Sequence, residues 1–249
     1  MQTTSNTVLI TGGATGIGLA LAEAFLKEGN EVLICGRRED KLREAQKKFP
    51  ALAIRPCDIS NPDHRKDLVN WAVGEYSPNI LVNNAGIQRM VDFRKGPAEL
   101  EAGDNEVRIN LEGPIYLTAR MLPNLMTEMK AAVVNVSSGL GFVPLAVMPI
   151  YCATKAAIHS FSVSLRHQLK GTTVQVFEAI PPIVDTELDR GARAKRGQVE
   201  RGIPAAQAAT EILQGLREDR FEIAIGEAGR LVQGSRQNFE PVFNGMNRS

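Results

Sequence analysis

Two side chains with complementary acid–base chemistry, Tyr151 and Lys155, lie four residues apart in the segment Tyr151-Cys152-Ala153-Thr154-Lys155. On a helix, residues at this spacing share one face, one turn apart. The pKa of a free tyrosine is about 10, and a nearby positive charge lowers it. The pair is therefore a candidate proton donor and acceptor near neutral pH. An amphipathic helix with an inward ring and a solvated lysine has the same spacing, so the surrounding motifs must decide between the two.

A glycine-rich turn follows the first apolar strand, predicted over Thr7–Thr11. Gly12, Gly16 and Gly18 precede a helical pattern over residues 19–28. In this context the glycines allow a tight turn, close approach of the backbone to a phosphate, and close helix–strand packing. The helix N-terminus then presents free N–H groups to a pyrophosphate. An ordinary strand-to-helix loop is the alternative.

Two arginines follow the second predicted strand, residues 31–35, in the sequence Gly36-Arg37-Arg38. An acidic residue at this strand tip binds the ribose 2′-hydroxyl of NAD, whereas an arginine accepts the 2′-phosphate of NADP. Because no carboxylate occupies the tip, the pattern favours NADP(H), with NAD(H) possible. The alternative is that both arginines begin the solvated helix predicted over Glu39–Lys48.

Polar residues also follow the third and fourth predicted strands, residues 52–54 and 79–82. Asp58 is placed to accept a hydrogen bond from an adenine amino group. The run Asn83-Asn84-Ala85-Gly86 suits contacts with a ribose and with backbone, although alone it also predicts a simple turn.

A long helical region is predicted over about residues 97–129, with Pro114 inside it. Proline has no N–H, so the carbonyl of Asn110 loses its helical partner. A buried carbonyl must find another donor, most simply a water. The sequence thus predicts a hydrated kink at Asn110, or else a plain break between two helices.

The composition limits the class of protein. The chain has 249 residues and a net charge of +1, which gives no sign of nucleic-acid binding. Its three cysteines have no metal-site or disulfide spacing, and its three scattered histidines favour no metal site. The N-terminus lacks a signal-peptide pattern and no apolar run is long enough for a membrane helix, so we expect a cytoplasmic protein that contacts no membrane.

Apolar strands alternate with helices along the whole chain. Strands that are apolar on both faces predict an α/β fold with a doubly wound parallel sheet. No linker or repeat divides the chain, so residues 1–249 are predicted to form a single domain. Residues 187–203, rich in Arg, Lys, Glu and Gly, are predicted to form a flexible substrate flap, or a surface loop with no gating role.

In order and spacing, the Thr11-Gly12 turn, the Asn84 run, Asn110, Ser138 and the Tyr151–Lys155 pair resemble the motifs of short-chain dehydrogenases/reductases. The resemblance extends to about residue 225 and points to the compact single-domain branch with a Rossmann fold. The segments CGRREDKL and IYCATKAAIHSFSVSLRHQL are similar to oxidoreductases named after the bacterial D-alanylation operon. That name does not establish a substrate.

The resemblance implies a role for each matching position. Tyr151 would exchange a proton with the substrate oxygen, and Lys155 would lower the tyrosine pKa and hold the nicotinamide ribose. Ser138 would hydrogen-bond the substrate oxygen, and Asn110 would hold a water that links Lys155 to solvent. Thr186 and the backbone of Val184 would fix the nicotinamide carboxamide. The residues implied to contact the cofactor are Gly12, Thr15, Gly16, Ile17, Gly18, Arg37, Arg38, Asp58, Ile59, Asn84, Ala85, Gly86, Tyr151, Lys155, Pro181, Val184 and Thr186.

The predicted activity is NADP(H)-dependent interconversion of a carbonyl compound and a secondary alcohol. Two alternatives remain: a non-catalytic nucleotide-sensing or scaffold protein on the same fold, and a dehydratase or epimerase. Pro182 stands where the family usually has glycine, which leaves the loop geometry open. Phe142, Leu145 and Met148 are expected to form an apolar wall around the small-molecule substrate.

The resemblance also implies a homodimer or homotetramer. In the family, the two long helices, here residues 103–129 and 151–169, pack against their symmetry mates. The residues proposed for that contact, which would equally suit the protein core, are Ala153, Ala156, Ala157, Phe161 and Leu165.

Overall fold

A parallel sheet organises the part of the chain that the computed structural model describes, residues 1–188 and 202–247. Its seven strands lie in the order β3-β2-β1-β4-β5-β6-β9, and every neighbouring pair is parallel. The order reverses between β1 and β4, which is where open α/β sheets bind ligands outside the carboxyl ends of their strands. The strands of this sheet are β1 (Thr7–Thr11), β2 (Glu31–Gly36), β3 (Leu52–Pro56), β4 (Ile80–Asn83), β5 (Ala131–Val136), β6 (Val174–Ile180) and β9 (Glu222–Ala224).

Helices cover both faces of the sheet, as the doubly wound prediction requires. Alternate strand residues point to opposite faces, so Val8 and Ile10 of β1 pack in one apolar core while Leu9 packs in the other. All three are fully buried. The helices are α1 (Gly16–Lys27), α2 (Glu39–Lys48), α3 (Pro62–Glu75), α4 (Ala98–Glu101), α5 (Gly113–Leu125), α6 (Pro149–Gln168), α7 (Ala205–Arg217), α8 (Glu227–Gln237) and α9 (Phe239–Met246).

The first core contains side chains of α1, α2 and α7, and the second contains side chains of α3 and α5. A separate pair of short strands, β7 (Val184–Asp185) and β8 (Ile203–Pro204), lies on either side of the undescribed residues 189–201. The predicted flap at 187–203 falls mostly in that stretch and so lies outside the described residues.

The prediction of one long helical region over residues 97–129 is wrong. A four-residue helix, α4, is followed by Gly103 with φ of +78° and then by a wide π turn at Arg108–Glu112 that leads into α5. In this turn the N–H of Gly113 donates to the carbonyl of Arg108, five residues earlier. Because Pro114 offers no N–H to the carbonyl of Asn110, the ordinary four-residue pattern cannot continue there.

The C-terminal tail, for which the sequence pattern was ambiguous, forms two helices. Ala228 and Val232 of α8 are buried against Ile180 at the end of β6. The helices α8 and α9 meet closely, because a Cβ on Gly234 would lie 2.9 Å from a methyl group of Val242. The tail is therefore held against the carboxyl ends of the strands, next to the candidate site.

Candidate active site

The glycine turn after β1 has the geometry that its sequence predicts. Gly12 and Gly16 have φ of +64° and +56°, a region that side chains disfavour. A Cβ on Gly18 would lie 2.3 Å from the carbonyl oxygen of Gly12, so Gly18 serves the close packing of α1 on the turn. The first turn of α1 carries no acidic side chain. Its free N–H groups and positive helix end are therefore suited to an anion.

Asn84 and Thr11 hold this turn against the end of β4. The Asn84 side-chain amide donates to the carbonyls of Thr11 and Gly12, at 2.9 and 3.2 Å. The Thr11 hydroxyl accepts from the backbone N–H groups of Asn84 and Ala85, both at 3.0 Å. The sequence pattern predicted a ribose contact for Asn84, but its amide nitrogen is engaged with backbone. Thr11 belongs to the predicted motif. Its bond to the N–H of Asn84, 73 residues away in sequence, could not be predicted from any local pattern.

A cavity of about 590 Å³ runs along the carboxyl ends of the strands. This volume lies within the usual range for cofactor sites. Two of the predicted contacts do not line it: Gly18 packs inside the turn, and Val184 lines a second cavity. The predicted residues that do line the first cavity are Gly12, Thr15, Gly16, Ile17, Arg37, Arg38, Asp58, Ile59, Asn84, Ala85, Gly86, Tyr151, Lys155, Pro181 and Thr186.

Each arginine at one end of the cavity is paired with a carboxylate. Arg37 donates to Asp104 at 2.8 Å, and Arg38 donates to Glu187 at 3.0 Å. The pairing raises the pKa of Arg37 and lowers the pKa of Asp104. Sequence reasoning missed both carboxylates, because they come from loops 67 and 149 residues away from their arginines.

Asp58 lines the same end of the cavity. One of its carboxylate oxygens accepts from the backbone N–H and the hydroxyl of Ser60, at 2.9 and 2.7 Å. These two bonds fix the direction of the carboxylate.

Tyr151 and Lys155 lie together at the other end of the cavity, in the first turns of α6. They are 6% and 5% exposed, and the Lys155 Nζ is 5.6 Å from the centre of the tyrosine ring. The Nζ donates to the carbonyl of Val136 at 2.8 Å. Burial lowers the pKa of Lys155 to about 8, and the negative charge of Glu178 opposes that change. The lysine is therefore still mostly protonated at neutral pH.

Asn110 is buried in the π turn and pairs with Ile87 through both ends of its amide. Its Oδ1 accepts from the Ile87 N–H, and its Nδ2 donates to the Ile87 carbonyl, both at 2.8 Å. A Cβ on Gly86 would lie 3.3 Å from Asn110 Oδ1 and 3.8 Å from Lys155 Nζ. Both polar groups therefore border Gly86, and a larger residue there would press on them.

Ser138 and Ser137 point into different surroundings. Ser138 lines the second cavity, and its Oγ accepts from the N–H of Leu140 at 3.1 Å. Ser137 lines the first cavity and donates instead to the buried Glu178 at 2.5 Å. Of the two neighbours, Ser138 is the one that shares the second cavity with Tyr151.

The second cavity, of about 430 Å³, adjoins the first at Tyr151. Leu145 and Met148 line it, as predicted, but Phe142 does not. Its ring packs on His159, with 4.5 Å between the ring centres, and against the buried cluster of Ile180, Ala228 and Val232. The C-terminal helices supply part of the wall, which the ambiguous tail sequence did not reveal. Among the described residues, its apolar wall includes Leu140, Leu145, Met148, Ile183, Val184, Leu231 and Met246.

None of the helices within residues 1–188 and 202–247 has both the length and the apolarity needed to cross a membrane.

Sequence comparison with known proteins finds short chain dehydrogenases and an oxidoreductase. The sequence profile described as short chain dehydrogenase matches residues 6–197. An uncharacterized oxidoreductase of Bacillus subtilis, DltE, is 47% identical over 99% of this chain and 98% of its own length. A short chain dehydrogenase of Pseudocercospora fijiensis is 35% identical over 75% of this chain and 62% of its own length.

Solved structures show the same fold. A short chain dehydrogenase/reductase from Burkholderia phymatum in complex with NAD superposes with a TM-score of 0.86 at 21% identity, covering 100% of this chain and 98% of that one. One from Burkholderia cenocepacia in complex with NADP superposes with a TM-score of 0.82 at 26% identity, covering 99% of both chains. With the family profile matched over most of its length and its glycine turn at the switch point of the sheet, this chain belongs to the short-chain dehydrogenase family of oxidoreductases.

Proposed function

We propose that this chain is an NADP(H)-dependent oxidoreductase that interconverts a carbonyl compound and its secondary alcohol, with Tyr151 as the proton donor and acceptor. The observation that carries the proposal is the position of Tyr151. It lines both cavities, so its phenol stands where a nicotinamide from one side would meet a substrate from the other. A group that transfers a proton must lie within hydrogen-bond reach of the reacting oxygen, and this boundary provides that reach.

Three neighbours complete the proposed relay. Ser138, in the second cavity, would hydrogen-bond the substrate oxygen beside Tyr151. Lys155 brings a positive charge close to the tyrosine ring, which favours the phenolate. Asn110 would keep its place beside Lys155 through the two bonds to Ile87. The relay would return to Tyr151, from solvent, the proton that it gives to the carbonyl oxygen, and would release a proton to solvent when the alcohol is oxidised.

The glycine turn, the start of α1 and the arginines form a cradle that fits an extended dinucleotide. The pyrophosphate would lie on the free N–H groups at Gly16, and Thr186, whose methyl group approaches Gly16, would face the carboxamide. The backbone of Val184 would assist from the rim of the second cavity. When bound, the nicotinamide supplies or accepts the hydride, and the protein supplies position, proton and charge.

The preference for NADP(H) rests on Arg37 and Arg38. Their guanidinium groups line the end of the cavity where the adenosine would lie, and each is paired with a carboxylate although both arginines remain about half exposed. A 2′-phosphate offers stronger bidentate acceptors than a single carboxylate oxygen, so it would replace part of these pairs. We expect Arg37→Ala to weaken NADPH binding about tenfold or more and NADH binding little. Arg43→Ala, which removes an exposed arginine of α2, is the matched control.

The apolar wall of the second cavity indicates an apolar carbonyl substrate. Among the described residues, the polar side chains that line it and could orient the substrate are Gln88, Ser138, Tyr151, Thr186, Glu227 and Arg230. This pattern of an apolar pocket with few convergent polar groups is typical of small-molecule sites.

The test is turnover of a panel of apolar ketones, aldehydes and diketones, followed by the near-ultraviolet absorbance of the reduced nicotinamide with NADPH and NADH in parallel. We expect oxidation of NADPH in preference to NADH. Tyr151→Phe should bind NADPH normally and lose most turnover, about a hundredfold or more. Retained turnover in that variant would contradict the role of Tyr151, and NADPH binding without turnover of any carbonyl compound would favour a non-catalytic role.

The proposal includes a homodimer or homotetramer that forms through the outer faces of α5 and α6. Ala153 and Ala156 of α6 and Tyr116 of α5 are exposed. Leu165, proposed for this face from the sequence, is only 5% exposed and belongs to the core of the chain. Light scattering tests the oligomeric state, since a monodisperse monomer would rule out the proposed dimer or tetramer.

We also propose a cytoplasmic location, consistent with the three free buried cysteines.

A further inference from the structure

A buried carboxylate lies behind the candidate catalytic lysine. Glu178 belongs to β6 and is fully buried. One of its oxygens accepts from the Ser137 hydroxyl at 2.5 Å, and the other is 2.7 Å from Nδ1 of His159. A buried carboxylate needs such partners, because the interior does not solvate its charge. The proposed proton relay uses none of these three residues.

Helix α6 and the end of β5 connect Glu178 and its two partners to Lys155. His159 follows Lys155 by one turn of α6, as Lys155 follows Tyr151, so the three side chains share one face. At the end of β5, Lys155 bonds the carbonyl of Val136, and the next residue, Ser137, bonds Glu178. The ammonium and the carboxylate are thus held by consecutive residues of one strand end.

Other charged groups on β9, α6 and α8 lie near the Glu178–His159 pair. On β9, Glu222 is paired with Arg236 of α8 at 2.7 Å. On α6, Arg166 lies within electrostatic range and donates to the carbonyl of Val176 at 2.8 Å. The imidazole of His159 is in direct contact with Glu178, 2.7 Å from its carboxylate, and this hydrogen bond raises the pKa of His159.

We propose that Glu178 is a positioning residue for the reaction, whose buried charge, held in place by Ser137 and His159, keeps Lys155 protonated at the pH where the enzyme works. This inference rests on the proposed function. Burial favours the neutral form of Lys155, and that form could not support a tyrosine phenolate. A carboxylate buried nearby offsets this tendency, and the low dielectric of the interior makes its charge effective. His159 makes the effect of Glu178 on Lys155 depend on pH, because a protonated imidazole cancels part of the carboxylate charge.

The test measures the protonation of Lys155 directly. NMR of protein labelled at the lysine side chains follows the titration of Lys155, whose pKa is lowered to about 8. The signal of Lys155 is the one that is absent from the spectrum of Lys155→Met. The variants are Glu178→Gln and His159→Gln, with His167→Gln, an exposed histidine of the same helix, as the matched control. Glutamine has the shape of glutamate and can bond both Ser137 and a neutral imidazole, so Glu178→Gln is expected to fold.

We expect the pKa of Lys155 to fall by about one unit in Glu178→Gln, because the compensating charge is gone. It should not fall in His159→Gln, where the carboxylate keeps its charge, and it should stay unchanged in His167→Gln. In the pH profile of kcat/KM, the apparent pKa of the alkaline limb should fall by the same amount, and only in Glu178→Gln. An unchanged Lys155 titration in Glu178→Gln, or an equal fall in His159→Gln, would overturn the proposal.

The two proposals fail in different ways. The lysine titration requires no substrate, so it reports on Glu178 even if no carbonyl compound is turned over. Normal turnover with an unchanged Lys155 titration would instead leave the proposed function in place and remove the role of Glu178.

Discussion

Replacing Lys155 with methionine should make the protein more stable while it removes turnover. Methionine has nearly the length of lysine and carries no charge, so it can occupy the same buried space beside Tyr151. At neutral pH the wild-type protein holds an ammonium that is only 5% exposed. The lowered pKa of Lys155 measures how unfavourable that charge is in the folded state.

The magnitude follows from this pKa. It falls from 10.5 to about 8 on folding, and each tenfold change in proton affinity is about 1.4 kcal/mol, so the charged lysine costs about 3 kcal/mol near neutral pH. The variant also loses the Nζ bond to the Val136 carbonyl, and leaving that acceptor without its partner costs about 1–2 kcal/mol. The net gain is about 1–2 kcal/mol, which corresponds to a rise in Tm of roughly 3–6 °C for a chain of this size.

The sign depends on pH. Because the folded-state pKa of Lys155 lies below the unfolded value, the unfolded chain holds more protons between the two, and wild-type stability rises as pH increases from about 8 to 10.5. The advantage of Lys155→Met should therefore disappear at the upper end of this window, leaving only the lost hydrogen bond.

Calorimetry near pH 7 and near pH 10 measures both effects. Titration of other groups is common to both proteins and cancels in the comparison. Lys170→Met, which replaces an exposed lysine just beyond α6, is the control and should show no pH-dependent difference. A lower Tm for Lys155→Met near neutral pH, or a difference that does not change with pH, would refute the reasoning.

Three further predictions follow from the two cavities. Asp104→Asn should strengthen NADPH binding severalfold without strengthening NADH binding, because it frees Arg37 and removes a negative charge near the 2′-phosphate; fluorescence titration with both cofactors checks it. Gly18→Ala should lower Tm by several degrees and abolish cofactor binding, because its Cβ would lie 2.3 Å from the Gly12 carbonyl; equal stability would contradict the packing role. Met246→Ala should raise KM for apolar ketones about tenfold and leave NADPH affinity unchanged, and an unchanged KM would show that α9 does not bound the substrate site.

The elements that the sequence predicted well are those specified by local chemistry. The strand, glycine turn and helix at the start of the chain follow from apolar runs and from backbone conformations that favour glycine, and all three were predicted. Pro114 likewise indicated a departure from the ordinary helix at Asn110, where the structure has a wide π turn. Its form was not predictable, because a proline removes one hydrogen bond without specifying what replaces it.

Contacts between distant parts of the chain account for most of what the sequence did not reveal. Asp104 and Glu187, which pair with the arginines at the first cavity, lie in loops with no pattern of their own. The tail contributes Leu231 and Met246 to the second cavity only because α8 packs on the end of β6. Local propensity cannot report such packing, since short amphipathic helices owe most of their stability to the tertiary contacts themselves.

The helix α6 relates the stability of this protein to its chemistry. Tyr151 at its start borders both cavities, Lys155 one turn later is buried, and His159 two turns later is partly exposed beside Glu178. Burial weakens the hold of Lys155 on its proton, which costs stability, but it also keeps water away from the charge that faces the tyrosine and so makes that charge more effective. A fully solvated lysine would be more favourable for folding and less useful to the phenol. The carboxylate of Glu178 resolves this conflict in our proposal, because it supports the lysine charge without exposing it to water.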